Sequence, residues 1–151
     1  MIDMESQCWM SRPCQADVRY GYPAARRCHS CVQLGTTAYI CGGYNGQTIF
    51  GDLWMIDMTS MQWTRLQAVL PEPAYFHSAG VTSSGLMVVH GGVVQIDTCR
   101  SSKVFAIRLK VPSLKELCWE ALLESDPGIL HQSRQSLLQI GVPPDLVDRL
   151  D

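Results

Sequence analysis

Hydrophobic and β-branched residues occur in short runs along the first 110 residues of the 151-residue chain. Two of these runs, Thr37–Cys41 and Leu86–His90, each end at a pair of glycines. Runs of this length and composition predict β-strands, and paired glycines suit a place where chains pass closely or turn with positive φ. Further predicted strands cover residues 53–57, 62–66 and 103–107. We therefore expect a mainly β fold over residues 1–110.

The spacing of hydrophobic residues changes after Lys110 from a period of two to a period of about 3.6 residues, which is typical of a helix. Ser113 and Glu116 form a capping box that predicts where this helix begins. Prolines after Asp126 and after Val142 predict the starts of two more helices, and Gly141 predicts the end of the second. Residues 111–151 are thus predicted to form a helical tail of three short helices.

Trp119 supports a second interpretation of this boundary. It stands three residues before Leu122, as Trp63 stands three residues before Leu66 in a predicted strand. Residues around Trp119 could therefore form the last strand of the β region. We favour the helix, because the capping box and the helical period agree with each other.

The chain also repeats itself. Residues 1–9 and 55–63 are identical at six of nine positions. His29-Ser30 is followed by Gly42-Gly43, and His77-Ser78 is followed by Gly91-Gly92, at nearly the same distance. The repeat period is about 50 residues, and four short strands in each period are typical of a β-propeller blade.

These repeats resemble the kelch repeat. The first full unit has the family's order of motifs, whereas the second has Val93 where the first has Tyr44 and lacks an aspartate matching Asp57. The resemblance implies a partial kelch β-propeller of about two blades. Because so few blades leave apolar faces such as those of Trp54, Met55 and Ile40 uncovered, we expect the isolated chain to be poorly soluble or loosely folded. The matching motifs of the first unit are His29-Ser30, Gly42-Gly43, Tyr44, Asp52-Leu53-Trp54, Asp57, Trp63 and Leu66.

Two segments of the tail are similar to docking boxes of ubiquitin-ligase substrate receptors. Residues 114–122 have the leucine, cysteine and aliphatic spacing of an elongin-binding box, and residues 142–150 have the aliphatic, proline and aliphatic spacing of a cullin-2 box. The resemblance implies that elongin C would contact the elongin-binding residues Leu114, Leu117, Cys118 and Leu122. It likewise implies that cullin-2 would contact the cullin-binding residues Val142, Pro143, Leu146 and Leu150.

Both boxes follow kelch-like repeats, so the chain resembles kelch-repeat substrate receptors of cullin-2 RING ubiquitin ligases. This resemblance implies elongin C with elongin B, cullin-2 and substrate proteins as partners. In that role the chain is a non-catalytic subunit, and other subunits transfer ubiquitin. The alternative is a kelch-propeller scaffold for a signalling or cytoskeletal protein, with a purely structural tail.

Substrates of the resembled receptors are recognised by their extreme C-termini. A protein that binds a C-terminal carboxylate needs an arginine on its binding face, because the guanidinium can donate two hydrogen bonds to the carboxylate. The candidate substrate-binding residues are Arg26 and Arg27, just before the first His-Ser motif, and Arg100 in an irregular segment.

Composition and charge exclude several other classes of function. Hydrophobic residues make up 46% of the chain, charged residues 17%, and the formal net charge is −2, so electrostatic binding to nucleic acid is disfavoured. The sequence contains no apolar run of about 18 residues and begins with acidic residues, so we expect no membrane span and no secretory leader. The expected location is cytoplasmic, nuclear or both.

The seven cysteines predict small buried hydrophobic residues, since their number is odd and their spacing irregular. Cys28 and Cys31 have the spacing of a zinc-ligand pair, but a structural zinc site needs a second pair. The sequence also lacks a nucleophile elbow and a glycine-rich phosphate loop. We therefore expect no catalytic residues, no metal site and no cofactor.

Overall fold

The strands of the first of two units, Met1–Leu109, form antiparallel sheets. The computed structural model describes residues 8–96 and 99–150 of the chain. Four strands in chain order form sheet 1, namely β1 (Ser30–Leu34), β2 (Thr37–Cys41), β3 (Asp52–Asp57) and β4 (Gln62–Val69). A second sheet, sheet 2, contains β5 (Ser78–Val81), β6 (Leu86–His90) and β9 (Val104–Arg108) in that order. Between β6 and β9 lies a two-stranded hairpin of β7 (Val93–Gln95) and β8 (Cys99–Arg100).

Sheets 1 and 2 pack against each other through alternate residues of their strands. In β2 the side chains of Tyr39 and Cys41 are buried, while Ala38 and Ile40 on the other face are half-buried. Each large apolar side chain buried in this way contributes on the order of 1.5–3 kcal/mol to folding. The shared core consists of Val32, Tyr39, Cys41, Leu53, Leu70, Met87 and Val89.

The first glycine pair allows the two sheets to approach closely. Gly42 has a φ of 63°, and a Cβ atom there would lie 2.5 Å from the Ala74 carbonyl oxygen and 2.7 Å from Cε1 of His77. Neither the backbone conformation nor the space admits a side chain. The glycine pair predicted from sequence as a point of close approach has this role in the structure.

An extended segment before β1 lies along the outer edge of β4. The Gln15 N–H donates to the Met61 carbonyl (2.9 Å), and the Trp63 N–H donates to the Gln15 carbonyl (2.9 Å). The Asp17 carboxylate accepts from the Arg65 backbone N–H (3.0 Å). These bonds pair the edge strand of sheet 1, whose polar groups would otherwise face solvent.

The second unit, Lys110–Asp151, is helical. Its elements are α1 (Leu114–Ser125), a 3-10 helix (Pro127–His131), α2 (Arg134–Gln139) and α3 (Pro144–Val147). The Ser113 side chain accepts a hydrogen bond from the Glu116 N–H (3.2 Å), so α1 begins where the capping box predicts. The unit has its own core, formed by Trp119, Ile129, Leu137, Val142, Leu146 and Val147.

The mainly β architecture with antiparallel sheets and C-terminal helices is confirmed. Trp119 lies in α1, so the alternative that placed it in a strand is wrong. The second predicted helix is divided into the 3-10 helix and α2, because Ser133 caps α2 by accepting from the Ser136 N–H (3.2 Å). Trp54, expected on an uncovered face, is only 3% exposed, and its indole N–H donates to the Asp52 carboxylate (2.6 Å).

Most of the repeat predicted at residues 1–9 lies outside the described residues. In the part of the chain that is described, no helix is long and apolar enough to cross a membrane.

Candidate functional site

Helix α1 presents an apolar stripe to solvent. Leu114 is 77% exposed and Leu117 is 47% exposed, and Cys118 and Ala121 are also exposed. These four residues are spaced i, i+3, i+4 and i+7, so they share one face of the helix. We call them the α1 stripe. A leucine ridge at one-turn spacing is the form in which a helix occupies a hydrophobic groove of a partner.

The other side of α1 belongs to the core of the tail. Trp119 is 6% exposed, and Leu122 and Leu123 pack beside it against the same core. Leu122, which the sequence placed with the elongin-binding residues, is therefore half-buried inside the tail unit. Three of the four predicted elongin-binding residues lie on the exposed stripe, and the fourth faces inward.

The predicted cullin-binding segment is largely internal. Val142 is 7% exposed and Leu146 is 2% exposed, and both are members of the tail core. Pro143 and Leu150 are half-buried. Because the side chains of Val142 and Leu146 contact the core, they can assist a partner only by holding the segment in position. Sequence spacing does not distinguish this packing role from a docking role.

Two ion pairs join α3 and the residues after it to α1. Arg149 Nη1 lies 2.9 Å and 3.0 Å from the two carboxylate oxygens of Glu116, which is buried. On the surface, Lys115 pairs with Asp145 and holds the pKa of that carboxyl below its usual value. Solvent screens the exposed Lys115–Asp145 pair, so the partly buried Glu116–Arg149 pair fixes the segment more strongly. The two predicted boxes thus form one folded unit.

Arg26, a predicted substrate-binding residue, is buried and makes its contacts within the first unit. Its side chain is 3% exposed, and its guanidinium donates to both carboxylate oxygens of Asp52 (2.5 and 3.1 Å) and to the Gly42 carbonyl (3.0 Å). It also lies over the Phe50 ring, 4.1 Å from the centroid. Burial acts to raise the pKa of Asp52, but hydrogen bonds from Arg26 and Trp54 outweigh it and lower this pKa. A substrate carboxylate would have to displace Asp52 from Arg26.

Arg27 and Arg100, the other two predicted substrate-binding residues, are exposed. The Arg27 guanidinium lies 5.7 Å from the centroid of the Tyr44 ring, a distance that allows a cation–π contact. Arg100 lies in β8 and lines a cleft of about 440 Å³ together with Phe76, Ser78 and His90. Both arginines are accessible to a ligand.

An aromatic cluster lies beside Arg27, and none of its residues is among the site residues predicted from sequence. The Tyr44 and Tyr75 rings stack with centroids 5.0 Å apart, and Tyr75 contacts Phe76 at 5.3 Å. Phe76 is 69% exposed and has a φ of 57°, which is rare for a bulky residue. Exposed aromatic rings next to arginine are common at protein interfaces. The adjacent aromatics before His77 were the signal in the sequence that could have identified this cluster.

Metal-binding and titratable groups show no catalytic arrangement in the residues that the structure describes. Among residues 8–96 and 99–150, no group of three or more His, Cys, Asp or Glu side chains is placed to hold a metal ion. Cys28 is half-buried and Cys31 is exposed, and both are free thiols. Burial raises the pKa of the Cys41 thiol to about 12, so this cysteine is a packing residue rather than a nucleophile.

Comparison with known proteins identifies the family. The family model described as the KLHDC2/KLHL20/DRC7 Kelch-repeats domain matches residues 1–141. Kelch domain-containing protein 10 of Xenopus tropicalis is 50% identical over 149 residues, which cover 98% of this chain and 36% of that protein. The Homo sapiens protein of that name is 46% identical, with 98% of this chain and 34% of the relative covered.

A more distant relative, Kelch domain-containing protein 10 homolog of Drosophila melanogaster, is 34% identical over 166 residues, covering 98% of this chain and 27% of that protein. The chain therefore spans about a third of the length of these relatives. The kelch resemblance predicted from the repeated His-Ser and Gly-Gly motifs is confirmed, and the chain belongs to the kelch-repeat family.

Proposed function

We propose that this chain is the substrate-receptor part of a cullin-2 RING ubiquitin ligase. Sheets 1 and 2 are two blades of a kelch propeller that binds substrate, and the tail binds elongin C with elongin B and then cullin-2. The chain performs no bond-breaking step. It raises the rate of ubiquitin transfer by holding the substrate near the catalytic subunits.

The observation that carries this proposal is the α1 stripe. A helix that packs only for its own fold buries its apolar residues, yet Leu114 and Leu117 remain 77% and 47% exposed. In the proposed complex Leu114 enters a groove of elongin C, and the small thiol of Cys118 lets the helix lie close to its partner. Leu122 stays in the tail core and supports α1 from behind.

Cullin-2 is proposed to contact the outer surface of the segment around α3. Val142 and Leu146 anchor this segment in the tail core, and the Glu116–Arg149 pair ties it to α1. The surface left for a partner includes Pro144, Asp145 and Asp148, which are exposed. A partner bound to α1 and a partner bound near α3 would thus be held in a fixed geometry.

Substrate is proposed to bind at the arginine and aromatic surface of the first unit. Arg27 and Arg100 offer guanidinium groups to a C-terminal carboxylate, and Phe76 offers an exposed apolar contact. Arg26 supports this surface through Asp52 and does not contact the substrate.

Chemical labelling of cysteine tests the elongin step. The chain is treated with N-ethylmaleimide in the presence and absence of purified elongin B and C, and modification is quantified by mass spectrometry. Cys118 and Cys31 are both exposed in the free chain, so both should be labelled. Elongins should protect Cys118 and leave Cys31 reactive. Labelling of Cys118 that is unchanged by elongins would contradict the proposal.

Substitutions provide a matched control for this experiment. Leu114→Ala with Cys118→Ala should remove most elongin recovery in a pull-down, because both side chains lie on the α1 stripe. Ile140→Ala and Leu130→Ala change residues that are 63% and 51% exposed but lie outside the stripe, so they should bind elongins normally. Equal recovery with all of these variants would exclude the stripe as the binding surface.

The burial of Val142 and Leu146 favours one rival function, a kelch scaffold with a purely structural tail. That function requires neither elongin nor cullin. In cells, a scaffold would co-purify with other proteins while the ligase subunits are absent, and the Leu114 and Cys118 changes would leave its partners unchanged.

A further inference from the structure

The first repeat is preceded by extra residues that the second repeat lacks. Trp9 and His29 are 20 positions apart, whereas their equivalents, Trp63 and His77, are 14 positions apart. The proline six positions before each histidine is present in both repeats, so the extra residues lie before that proline. They fall within residues 15–22, which we call the inserted segment. Extra residues at one point of a repeat array often belong to a binding surface.

Hydrogen bonds give the inserted segment a fixed conformation. The Asp17 and Gly21 backbones exchange two N–H to carbonyl bonds (2.8 and 3.0 Å). The Asp17 carboxylate also accepts from the Tyr20 N–H (2.8 Å), and the Tyr22 hydroxyl donates to the Cys14 carbonyl (2.7 Å). The two tyrosines therefore occupy defined positions at the edge of sheet 1.

Tyr20 and Tyr22 line a cleft of about 550 Å³ in the first unit. Clefts of roughly 300–1,000 Å³ are typical of ligand sites. The tyrosines are 46% and 56% exposed, so their rings are accessible. Phe50 and Trp54 line the same cleft, and Trp54 is only 3% exposed, so no neighbouring sheet is needed to cover it. Four aromatic rings thus offer an apolar surface to a ligand.

The charge left available in this cleft is positive. Its charged lining residues are Asp52, which is bonded to Arg26, and Arg65, which is half-buried. The Arg65 guanidinium lies over the Tyr20 ring, 4.8 Å from its centroid, and makes no hydrogen bond or ion pair with residues 8–96 or 99–150. Arg19, which is exposed, lies 5.3 Å from the same ring centroid. Unused guanidinium donors beside aromatic rings favour a carboxylate ligand.

We propose that this cleft binds a segment of a partner protein in which acidic side chains flank an aromatic one. One carboxylate accepts hydrogen bonds from Arg65, and Arg19 attracts the second. The aromatic side chain packs against Tyr20 and Tyr22. A basic segment would bring its charge beside two arginines and would be repelled. The cleft shares no lining residue with the surface proposed for substrate or with the α1 stripe, so this proposal does not depend on the ligase function.

Titration of the full chain with short peptides tests the proposal. The probe is the acetylated, amidated peptide Glu-Phe-Glu, and the matched controls are Gln-Phe-Gln and Lys-Phe-Lys. The indole N–H signal of Trp54 in NMR spectra reports binding, because this side chain lines the cleft. The acidic peptide should shift the signal until it saturates. The neutral peptide should bind at least about tenfold more weakly, and the basic peptide should cause no shift.

Substitutions assign the binding to the cleft. Arg65→Gln should weaken the acidic peptide about tenfold and leave the neutral peptide unchanged, and it keeps the backbone bond to Asp17. Tyr20→Ala should weaken both peptides, because it removes part of the apolar surface. Arg12→Gln, at an exposed arginine outside the lining, should bind like the unmodified chain. Circular dichroism verifies folding, and Arg19→Gln, with a smaller expected loss, replaces Arg65→Gln if that variant does not fold.

Equal affinities for the acidic and neutral peptides would overturn the proposal, because the cleft would then not select charge. So would acidic-peptide binding that Arg65→Gln leaves unchanged, or the lack of any saturable shift. N-acetylglutamate that binds as tightly as the peptide would show a site for a lone carboxylate and overturn the assignment to a protein segment. Elongin recovery by the same variants stays normal in each of these cases, since α1 is unaltered.

Discussion

Neighbouring arginines have different roles at the scale of single residues. Arg26 and Arg27 are adjacent in sequence, yet Arg26 is buried against Asp52 while Arg27 is exposed beside Tyr44. The same contrast applies to the repeated histidines, since His77 is buried against Ser30 and His29 is exposed. A residue's role in this repeat protein therefore depends on whether another sheet covers it.

Arg26→Ala should lower the free energy of unfolding by about 3–5 kcal/mol, because it leaves the partly buried Asp52 carboxylate without its partner. Arg27→Ala should change it by less than about 0.5 kcal/mol, since that side chain lies on the surface. Urea unfolding followed by tryptophan fluorescence measures both. Equal stabilities of the two variants would show that the Arg26–Asp52 pair does not stabilise the fold.

His77 should make stability depend on pH. Burial lowers the pKa of His77 below its usual 6.5, so the folded chain resists protonation. Below about pH 6.5 the unfolded chain binds a proton that the folded chain does not, and stability falls as the pH drops toward the folded pKa.

Melting temperatures between pH 7.5 and pH 5 check this dependence. His77→Gln should reduce the loss of stability on acidification, whereas His131→Gln, at an exposed histidine in the tail, should not. An unchanged pH dependence in His77→Gln would assign the effect to other groups.

At the scale of elements, α1 is apolar on two sides. One side holds Trp119 and Leu123 in the tail core, and the other side is the α1 stripe. Helix periodicity detects apolar spacing but not which side the rest of the unit covers, so residues 114, 117, 118, 121 and 122 appeared as a single face. Similarly, the aliphatic and proline spacing of residues 142–150 does not reveal that Val142 and Leu146 are core residues.

Leu146→Ala should destabilise the tail by about 2–5 kcal/mol, because it leaves a cavity in the core around Trp119. Ile140→Ala, at a residue 63% exposed in the same unit, should have little effect. Hydrogen exchange of the α1 amides, measured by mass spectrometry, should accelerate in Leu146→Ala only. Unchanged exchange in that variant would place Leu146 outside the cooperative core of the tail.

At the scale of the whole molecule, the described residues 8–96 and 99–150 form two hydrophobic cores that share no residue. One core belongs to sheets 1 and 2, and the other belongs to the tail. The residues between β9 and α1 form no helix or strand, and Val111 among them is 88% exposed. Such a connection between two cores is a preferred site for proteolysis.

Limited digestion with trypsin should therefore cut first after Lys110, an exposed residue in this connection. The products should be residues 1–110 and 111–151, identified by mass spectrometry. Lys110→Gln should slow the first cut several-fold. First cleavage within the hairpin at Arg100 in both chains would show that the connection is better protected than the sheets.

Much of the fold could be predicted from sequence because its signals are local. Strand runs ending at Gly-Gly, the Ser113 cap and the helical period of residues 114–122 each depend on residues a few positions apart, and each lies where it was predicted. The division of the second tail helix was missed, although Ser133 has the side chain of a helix cap.

The sequence by itself determined the strands, the helices and the kelch repeat, since backbone sterics and hydrophobic periodicity act over short spans of chain. Only the tertiary structure decided which copies of each repeated residue are covered. The Arg26–Asp52 pair, the His77–Ser30 contact and the inward side of residues 142–150 all join residues far apart in sequence. Burial and pairing over such distances depend on which elements pack together, and no local pattern encodes that choice.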